Sequence, residues 1–231
     1  MVLQLIIFSF VSGCARTSPG EARGGLESLG ARPGVIAVTG DGIDKEKSFT
    51  IEEIKGMDDA LAGACYSSVN LWPTIKFYTG KGIYLWSLLQ KTGIKKEAQT
   101  ITVWGSDGYS TVFTREQLEE KRYYYPNILK GNREGAQEVP PILAWEYSEG
   151  TGISEGAEGG EICLFFGQKG LNDATAAAFV KKVAAIEVST RPPGRWDAVG
   201  AEPLPGRVSR GTGVLLKHLD EDRVKIYYTL D

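Results

Sequence analysis

The sequence is short of the residues that most often carry catalysis or bind transition metals. Among its 231 residues there is one histidine, His218, and there are three cysteines. The cysteines form no CxxC pair and no Cys/His cluster, which excludes the common zinc, haem and iron–sulfur patterns. A serine hydrolase is also disfavoured, because the single histidine lies in a tail beyond the predicted main domain.

The chain also lacks a strongly basic segment. Its 26 basic and 29 acidic residues leave a net charge of −3, whereas nucleic-acid binding requires clustered cations that neutralise phosphates. We therefore expect no nucleic-acid partner. Hydrophobic residues make up 42% of the chain, which allows a full core, and the length fits one main domain with short additions.

Residues 1–11 are almost wholly apolar, but this stretch is too short to span a bilayer. It continues directly into Ser12-Gly13-Cys14, a pattern typical of a bacterial lipoprotein signal in which Cys14 is lipidated. Residues 1–14 are therefore predicted to be a lipoprotein-type signal peptide. No Lys or Arg precedes Arg16, unlike most such signals, and the alternative is a buried N-terminal strand. The lipoprotein interpretation predicts an exported protein, anchored on the outer face of the cytoplasmic membrane or at the cell surface.

Beyond Cys14, residues 15–33 are rich in Gly, Arg, Ser and Pro and predict a flexible tether. The folded domain is expected to begin at residue 34. Asp107-Gly108 between two apolar runs predicts a hairpin, and Thr114 with Gln117 predicts a capping box at a helix start. The predicted strands include Val35–Val38, Ser48–Ile51, Ile101–Trp104, Ser110–Phe113 and Ile162–Phe166, and the predicted helices are Glu52–Met57, Ile83–Thr92 and Arg115–Lys121.

The last part of the chain, residues 194–231, predicts an irregular linker followed by two strands, Gly213–Leu219 and Val224–Thr229. Two strands alone are only marginally stable in water. They would have to pack on the main domain, pair with a partner strand, or begin a module that is incomplete here.

Several motifs occur in the order seen in one known family. They are Phe49–Ile54, Gly82–Leu89, Ser106–Tyr109 and the apolar run Phe179–Val188. In this order the chain resembles the molybdopterin-binding domain of the sulfite oxidase family over residues 34–193. Two further segments, Tyr66–Thr74 and Arg122–Pro126, are similar to a subgroup found in exported proteins of anaerobic bacteria, and in that subgroup Ile226–Asp231 resembles the start of a small β-sandwich module.

The resemblance implies a strand-rich α+β fold with mixed sheets and short helices. It also implies an oxidoreductase that performs two-electron or oxygen-atom transfer at a molybdenum centre, held by the dithiolene of molybdopterin and one protein cysteine. Cys65 is the residue that fits this role, as metal ligand and catalytic residue, in a loop before the predicted Gly82 helix. The alternative is a small buried core residue, as most free cysteines are.

If the cofactor is bound, three further residues are candidates to contact it. Lys181 occupies the family's Val-Lys position, Asn70 is placed to bind a pterin edge, and Tyr109 is placed as a donor in the pocket. The alternative for Tyr109 is a turn residue packed by its ring. In an oxidising compartment Cys65 and Cys163 could also pair, a question that the sequence leaves open.

Two functions therefore remain. One is an exported, lipid-anchored molybdopterin enzyme that acts on a small-molecule substrate and passes electrons to an external carrier. The other is a non-catalytic cell-surface binding or structural module on the same fold, without metal, in which the C-terminal strands pair with a partner. Cys65 favours the first, and the scarcity of His and Arg in residues 34–193 favours the second.

Overall fold

The computed structural model describes residues 29–30, 32, 34–57, 61–70, 74–153, 158–193, 200–202 and 213–217. The described residues up to Pro193 belong to one compact unit, and those from Gly200 onwards belong to a second unit. Cys14, the signal peptide and most of the tether lie outside the described residues, as does the predicted strand Val224–Thr229. None of the described helices is long and apolar enough to cross a bilayer.

The first unit contains a five-stranded mixed sheet. Its strands, in spatial order, are Lys47–Thr50 (β2), Val35–Thr39 (β1), Val183–Ser189 (β11), Thr100–Gly105 (β5) and Ser110–Thr114 (β6). Strand β1 is parallel to β11, and the other neighbouring pairs are antiparallel. The parallel neighbours lie far apart in sequence, so a long excursion of the chain separates them.

That excursion contains a four-stranded antiparallel sheet. Its order is β10-β9-β4-β3, with bounds Glu158–Phe165 (β10), Ile142–Glu149 (β9), Ile75–Tyr84 (β4) and Leu61–Val69 (β3). Strands β3 and β4 form a hairpin in which Val69 is opposite Ile75. A small two-stranded sheet joins Tyr123–Tyr124 (β7) to Gln137–Glu138 (β8).

The helices of the first unit are short. They are Ile51–Lys55 (α1), Leu85–Gln90 (α2) and Arg115–Glu119 (α3), with 3₁₀ turns at Ile128–Lys130 and Ala176–Ala178. Helices α1 and α3 each begin with a capping box, in which a threonine and the residue three positions later exchange side-chain and backbone hydrogen bonds. In α2, three leucines are buried: Leu85, Leu88 and Leu89.

Alternating side chains give the four-stranded sheet two buried faces. One face joins the inner face of the five-stranded sheet and α2 in the main core, through Ile83, Leu143, Ile162 and Leu164 among others. The opposite face carries a second, aromatic core that includes Tyr66, Ile142, Ala144, Cys163 and Phe165. The sheet that carries Cys65 is therefore a central layer.

The structure confirms the predicted strand-rich α+β class. The hairpin over residues 101–113 and the Thr114–Gln117 capping box are also confirmed. One prediction is wrong in part. The predicted helix Ile83–Thr92 is shorter, because Ile83 and Tyr84 are the last two residues of β4 and α2 covers Leu85–Gln90.

The second unit contains one short antiparallel pair. Gly200–Glu202 (β12) lies beside Leu215–Lys217 (β13). A strand within 213–219 is therefore confirmed, but its partner is a segment that was predicted to be irregular. The predicted partner, 224–229, lies outside the described residues.

Candidate functional site

Cys65 lies on strand β3, and its prediction as a loop residue is wrong. Its register partner across the hairpin is Thr79 on β4, and the next partner along the sheet is Ser148 on β9. Because directly opposed residues project to the same face of a sheet, these three small polar side chains form a row across three strands.

The side chains of this row form hydrogen bonds with the loop that follows β9. The Cys65 thiol donates to the Thr151 carbonyl at 3.7 Å, the Thr79 hydroxyl donates to the Gly150 carbonyl at 3.1 Å, and the Ser148 hydroxyl donates to the Gly152 carbonyl at 2.8 Å. The Cys65 sulfur also lies 3.4 Å from Thr79 Oγ1. Three successive carbonyls of one loop are thus bound by three neighbouring strands.

This arrangement does not fit a molybdenum ligand. Metal ligation requires the thiolate, and a thiolate has no proton to donate to the Thr151 carbonyl, so it would face an oxygen lone pair instead. Cys65 also packs on the aromatic core that includes Tyr66 and Tyr124. Burial raises the pKa of both tyrosines, so their phenols stay neutral.

Cys65 and Cys163 do not form a disulfide. Cys163 is buried on β10, at the far edge of the sheet from β3, and neither of these two cysteines is in a disulfide. Two strands lie between them, which places the cysteines about 14 Å apart by strand spacing alone. A disulfide needs Cα atoms within about 7 Å.

Asn70 closes the turn of the β3–β4 hairpin. Its side-chain Oδ1 accepts from the backbone N–H of Thr74 at 2.8 Å, and its own N–H donates to the Thr74 carbonyl at 3.2 Å. Such an amide stabilises a loop locally. It lies five residues beyond Cys65, or about 16 Å along the strand.

Tyr109 follows the turn between β5 and β6 in the other sheet. Its hydroxyl donates to the Ala177 carbonyl at 2.5 Å, its N–H donates to Asp107 Oδ1 at 3.0 Å, and its ring packs on the main core. These contacts match the alternative interpretation, a turn residue packed by its ring.

Lys181 is exposed and lies just before β11. The preceding residue, Val180, forms an isolated β-bridge with Leu164 of β10. This bridge is on the edge of β10 that does not pair with β9. Val180 and Cys65 are therefore separated by four strand spacings, about 19 Å across the sheet. The structure thus places the four predicted site residues on separate parts of the fold, and their cofactor role stays a prediction.

A second polar cluster surrounds Arg122, in the connection between α3 and β7. The side chain is only 7% exposed; its Nη1 pairs with Asp173 Oδ2 at 3.0 Å, and its Nη2 pairs with Glu120. Its guanidinium lies over Phe166, 4.5 Å from the ring centroid. The Nε atom is buried and has no hydrogen-bond partner.

Lys169 extends this cluster at the surface. Its ammonium lies 2.8 Å from Glu120 Oε2, and its backbone N–H donates to Asp173 Oδ2 at 2.8 Å. Burial acts to raise the pKa of Glu120, but the Lys169 hydrogen bond and the charges of Arg122 and Lys169 outweigh it and hold the pKa below its usual value. Glu120 is therefore ionised at neutral pH.

The cluster forms one wall of an open groove of about 510 Å³. All of its lining residues are polar: Thr114, Glu116, Gln117, Glu120, Arg122, Lys169 and Asp173. Three carboxylates face two cations, so the lining carries a net charge of −1. Among the described residues, no three His, Cys, Asp or Glu side chains are grouped so that they could hold a metal ion.

Comparisons with known proteins give only a distant structural likeness. No family model matches the sequence, and no curated protein matches it. Among solved structures, the chain is similar to the sulfane dehydrogenase SoxCD from Paracoccus pantotrophus, with a TM-score of 0.47 and 13% identity over 68% of this chain. The match covers 38% of the length of that protein chain.

Sequence reasoning found the Cys65 region but missed the Arg122 cluster. In the sequence, Arg122 is recognisable only as the first residue of the family-like motif Arg122–Pro126. The available signal was the spacing of Glu120 and Arg122, with Asp173 far along the chain. Nothing local indicates that this arginine is buried, because Phe166 and Asp173 come from a different part of the sequence.

Proposed function

We propose that this chain is a non-catalytic binding or structural module at the cell surface, which resembles the sulfite oxidase type of domain without using a metal. The observation that carries the proposal is the hydrogen bond from the Cys65 thiol to the Thr151 carbonyl. It gives Cys65 a structural use that needs the protonated thiol, whereas a metal site needs the thiolate.

The separation of the predicted cofactor residues supports the same proposal. A cofactor site requires its binding groups to converge, whereas Cys65 and Lys181 are near opposite edges of one sheet. Asn70 and Tyr109 each use side-chain atoms to stabilise a turn or to join neighbouring segments. These contacts give Asn70 and Tyr109 a structural role that requires no bound cofactor.

The proposed place of action rests on the lipoprotein-type pattern of the sequence. We propose that the protein is exported and anchored to the membrane through lipid on Cys14, with the folded unit on a tether. Intact-mass measurement of protein from a bacterial membrane fraction tests this: we expect a diacylglyceryl modification on Cys14 at a new N-terminus. An unmodified chain that begins at Met1 would contradict it.

Metal analysis tests the main proposal. Protein purified from a molybdenum-supplied host should contain no stoichiometric molybdenum, and wild type and Cys65→Ser should be indistinguishable in metal content. A serine hydroxyl keeps a donor to Thr151 but cannot act as a soft thiolate ligand. Stoichiometric molybdenum that is lost in Cys65→Ser would overturn the proposal.

The second candidate function is the molybdopterin oxidoreductase, with Cys65 as metal ligand, a small-molecule substrate and an external electron carrier. The observation that favours it is that Cys65 is reduced and only partly buried. The loop at residues 150–152 would have to leave the thiol before it could bind a metal. The same metal analysis separates the two candidates.

A further inference from the structure

We infer that the groove beside Arg122 is a binding site for a neutral, polyhydroxylated ligand of saccharide size. The inference rests on the proposed role as a non-catalytic binding module and names the class of ligand. The groove's volume of about 510 Å³ is within the range of small-molecule sites.

The wall of the groove is held in place before any ligand arrives. Arg122 is buried against Phe166 and fixes Asp173 on one side and Glu120 on the other. Asp173 is fixed a second time by the Lys169 backbone N–H. Thr114 and Gln117, which also line the groove, are held by the capping box of α3. A site with fixed side chains loses little conformational entropy on binding.

The mixture of charges selects against ions of either sign. A free anion would be repelled by the carboxylates of Glu116, Glu120 and Asp173. A free cation would be repelled by Arg122 and Lys169. A hydroxyl group both donates and accepts, so a ligand with several adjacent hydroxyls can use the carboxylates as acceptors and the cations as donors. Neutral sugars have this property, and they carry no charge that the groove would repel.

Several hydrogen-bonding positions of the lining remain for a ligand. The Lys169 ammonium has three N–H donors, and its ion pair with Glu120 uses one of them. Glu116 is exposed at the rim. The buried Nε of Arg122, a residue of the lining, has no hydrogen-bond partner, which is unusual for a buried donor in a native structure.

Amide chemical-shift mapping of the full chain by NMR tests the inference. The probes are two neutral trisaccharides, chitotriose and maltotriose, with glucuronate and glucosamine as charged counterparts. We expect a neutral sugar to shift the amides of residues 114–122 and 168–173 and to bind more tightly than either charged sugar. The absence of shifts with both trisaccharides, shifts confined to other residues, or tighter binding of a charged sugar would each overturn the inference.

Variants at the rim sharpen this test. Lys169→Gln and Glu116→Gln change exposed side chains and leave the Arg122–Asp173 pair intact, and each should weaken binding about fivefold, the effect of one lost hydrogen bond. Lys130→Gln, an exposed lysine in the 3₁₀ turn at 128–130, is the matched control and should bind like wild type. Equal affinity in all three variants would overturn the inference, while the metal analysis tests the proposed function separately.

Discussion

The guanidinium of Arg122 lies over the ring of Phe166, 4.5 Å from its centroid, and is almost fully enclosed by protein. A buried arginine is tolerated only when its charge is compensated, and here Glu120 and Asp173 provide that compensation. The three residues join the connection after α3 to the segment after β10. The network is therefore both a part of the fold and the wall of the groove.

Removing the arginine should destabilise the protein strongly. Arg122→Ala removes the buried cation between Glu120 and Asp173 and the contact with Phe166, so we expect a loss of about 3–5 kcal/mol in the free energy of unfolding. Urea denaturation measures it. Lys121→Ala is the control, because its ion pair with Glu138 is exposed, with 72% of the lysine side chain accessible, and it should have a much smaller effect on the free energy of unfolding. Equal losses in both variants would show that the buried pair is not important for stability.

Glu120 should make stability depend on pH. Its pKa is lowered in the folded protein, so its contribution is fully present above the pKa of the unfolded chain, about 4.3. The contribution is lost as the pH falls through the lower folded value. Urea midpoints measured between pH 3 and pH 7 should show a steeper acid decline for wild type than for Glu120→Gln. Parallel curves for the two proteins would contradict this assignment.

The sequence predicts the five-stranded sheet better than the four-stranded one. Ile101–Trp104 and Ser110–Phe113 are rich in β-branched and aromatic residues and flank an Asp-Gly turn, so local preference and final structure agree. Strand β3 contains alanine, glycine and serine at most of its first eight positions. These residues have weak strand preference, and only pairing with β4, a tertiary effect, makes the segment a strand.

The same reasoning explains the errors at the candidate site. Cys65 was expected in a loop because its strand could not be recognised locally. The cofactor residues could not be placed relative to each other, because their separation depends on the order β10-β9-β4-β3, which no local pattern encodes. The Arg122 cluster also joins distant parts of the chain, so only the folded structure brings it together.

The row of side chains on β3, β4 and β9 should control the mobility of the loop at residues 150–152. Thr79→Val keeps the shape of the side chain and removes the donor to Gly150, so we expect a loss of about 1 kcal/mol and faster amide hydrogen exchange in residues 150–153. Thr102→Val, the same change on the outer face of the five-stranded sheet, should leave that exchange unchanged. Unaltered exchange in Thr79→Val would show that the hydroxyl does not hold the loop.

The two described cysteines should be chemically distinct thiols. Because Cys65 is partly buried at a loop and Cys163 is fully buried, we expect alkylation of the native protein without reductant to modify Cys65 first, and Cys163 only after denaturant is added. Peptide mapping by mass spectrometry measures both sites. A peptide that links Cys65 to Cys163 would contradict the separation of β3 and β10.

Gly82 should be the glycine of β4 that tolerates change least. A β-carbon at this position would lie 2.0 Å from the Leu143 carbonyl oxygen and 2.6 Å from the Ala144 Cα, both backbone atoms of β9. Backbone atoms in a central strand cannot move without breaking the ladder, so Gly82→Ala should cost about 3 kcal/mol or more, a large value for one methyl group. Gly63→Ala on β3 is the matched control, because its nearest atom is 3.9 Å away, and it should change the free energy of unfolding by about 1 kcal/mol or less. If chemical denaturation gave the two variants the same stability, the close approach of β4 and β9 at Gly82 would be wrong.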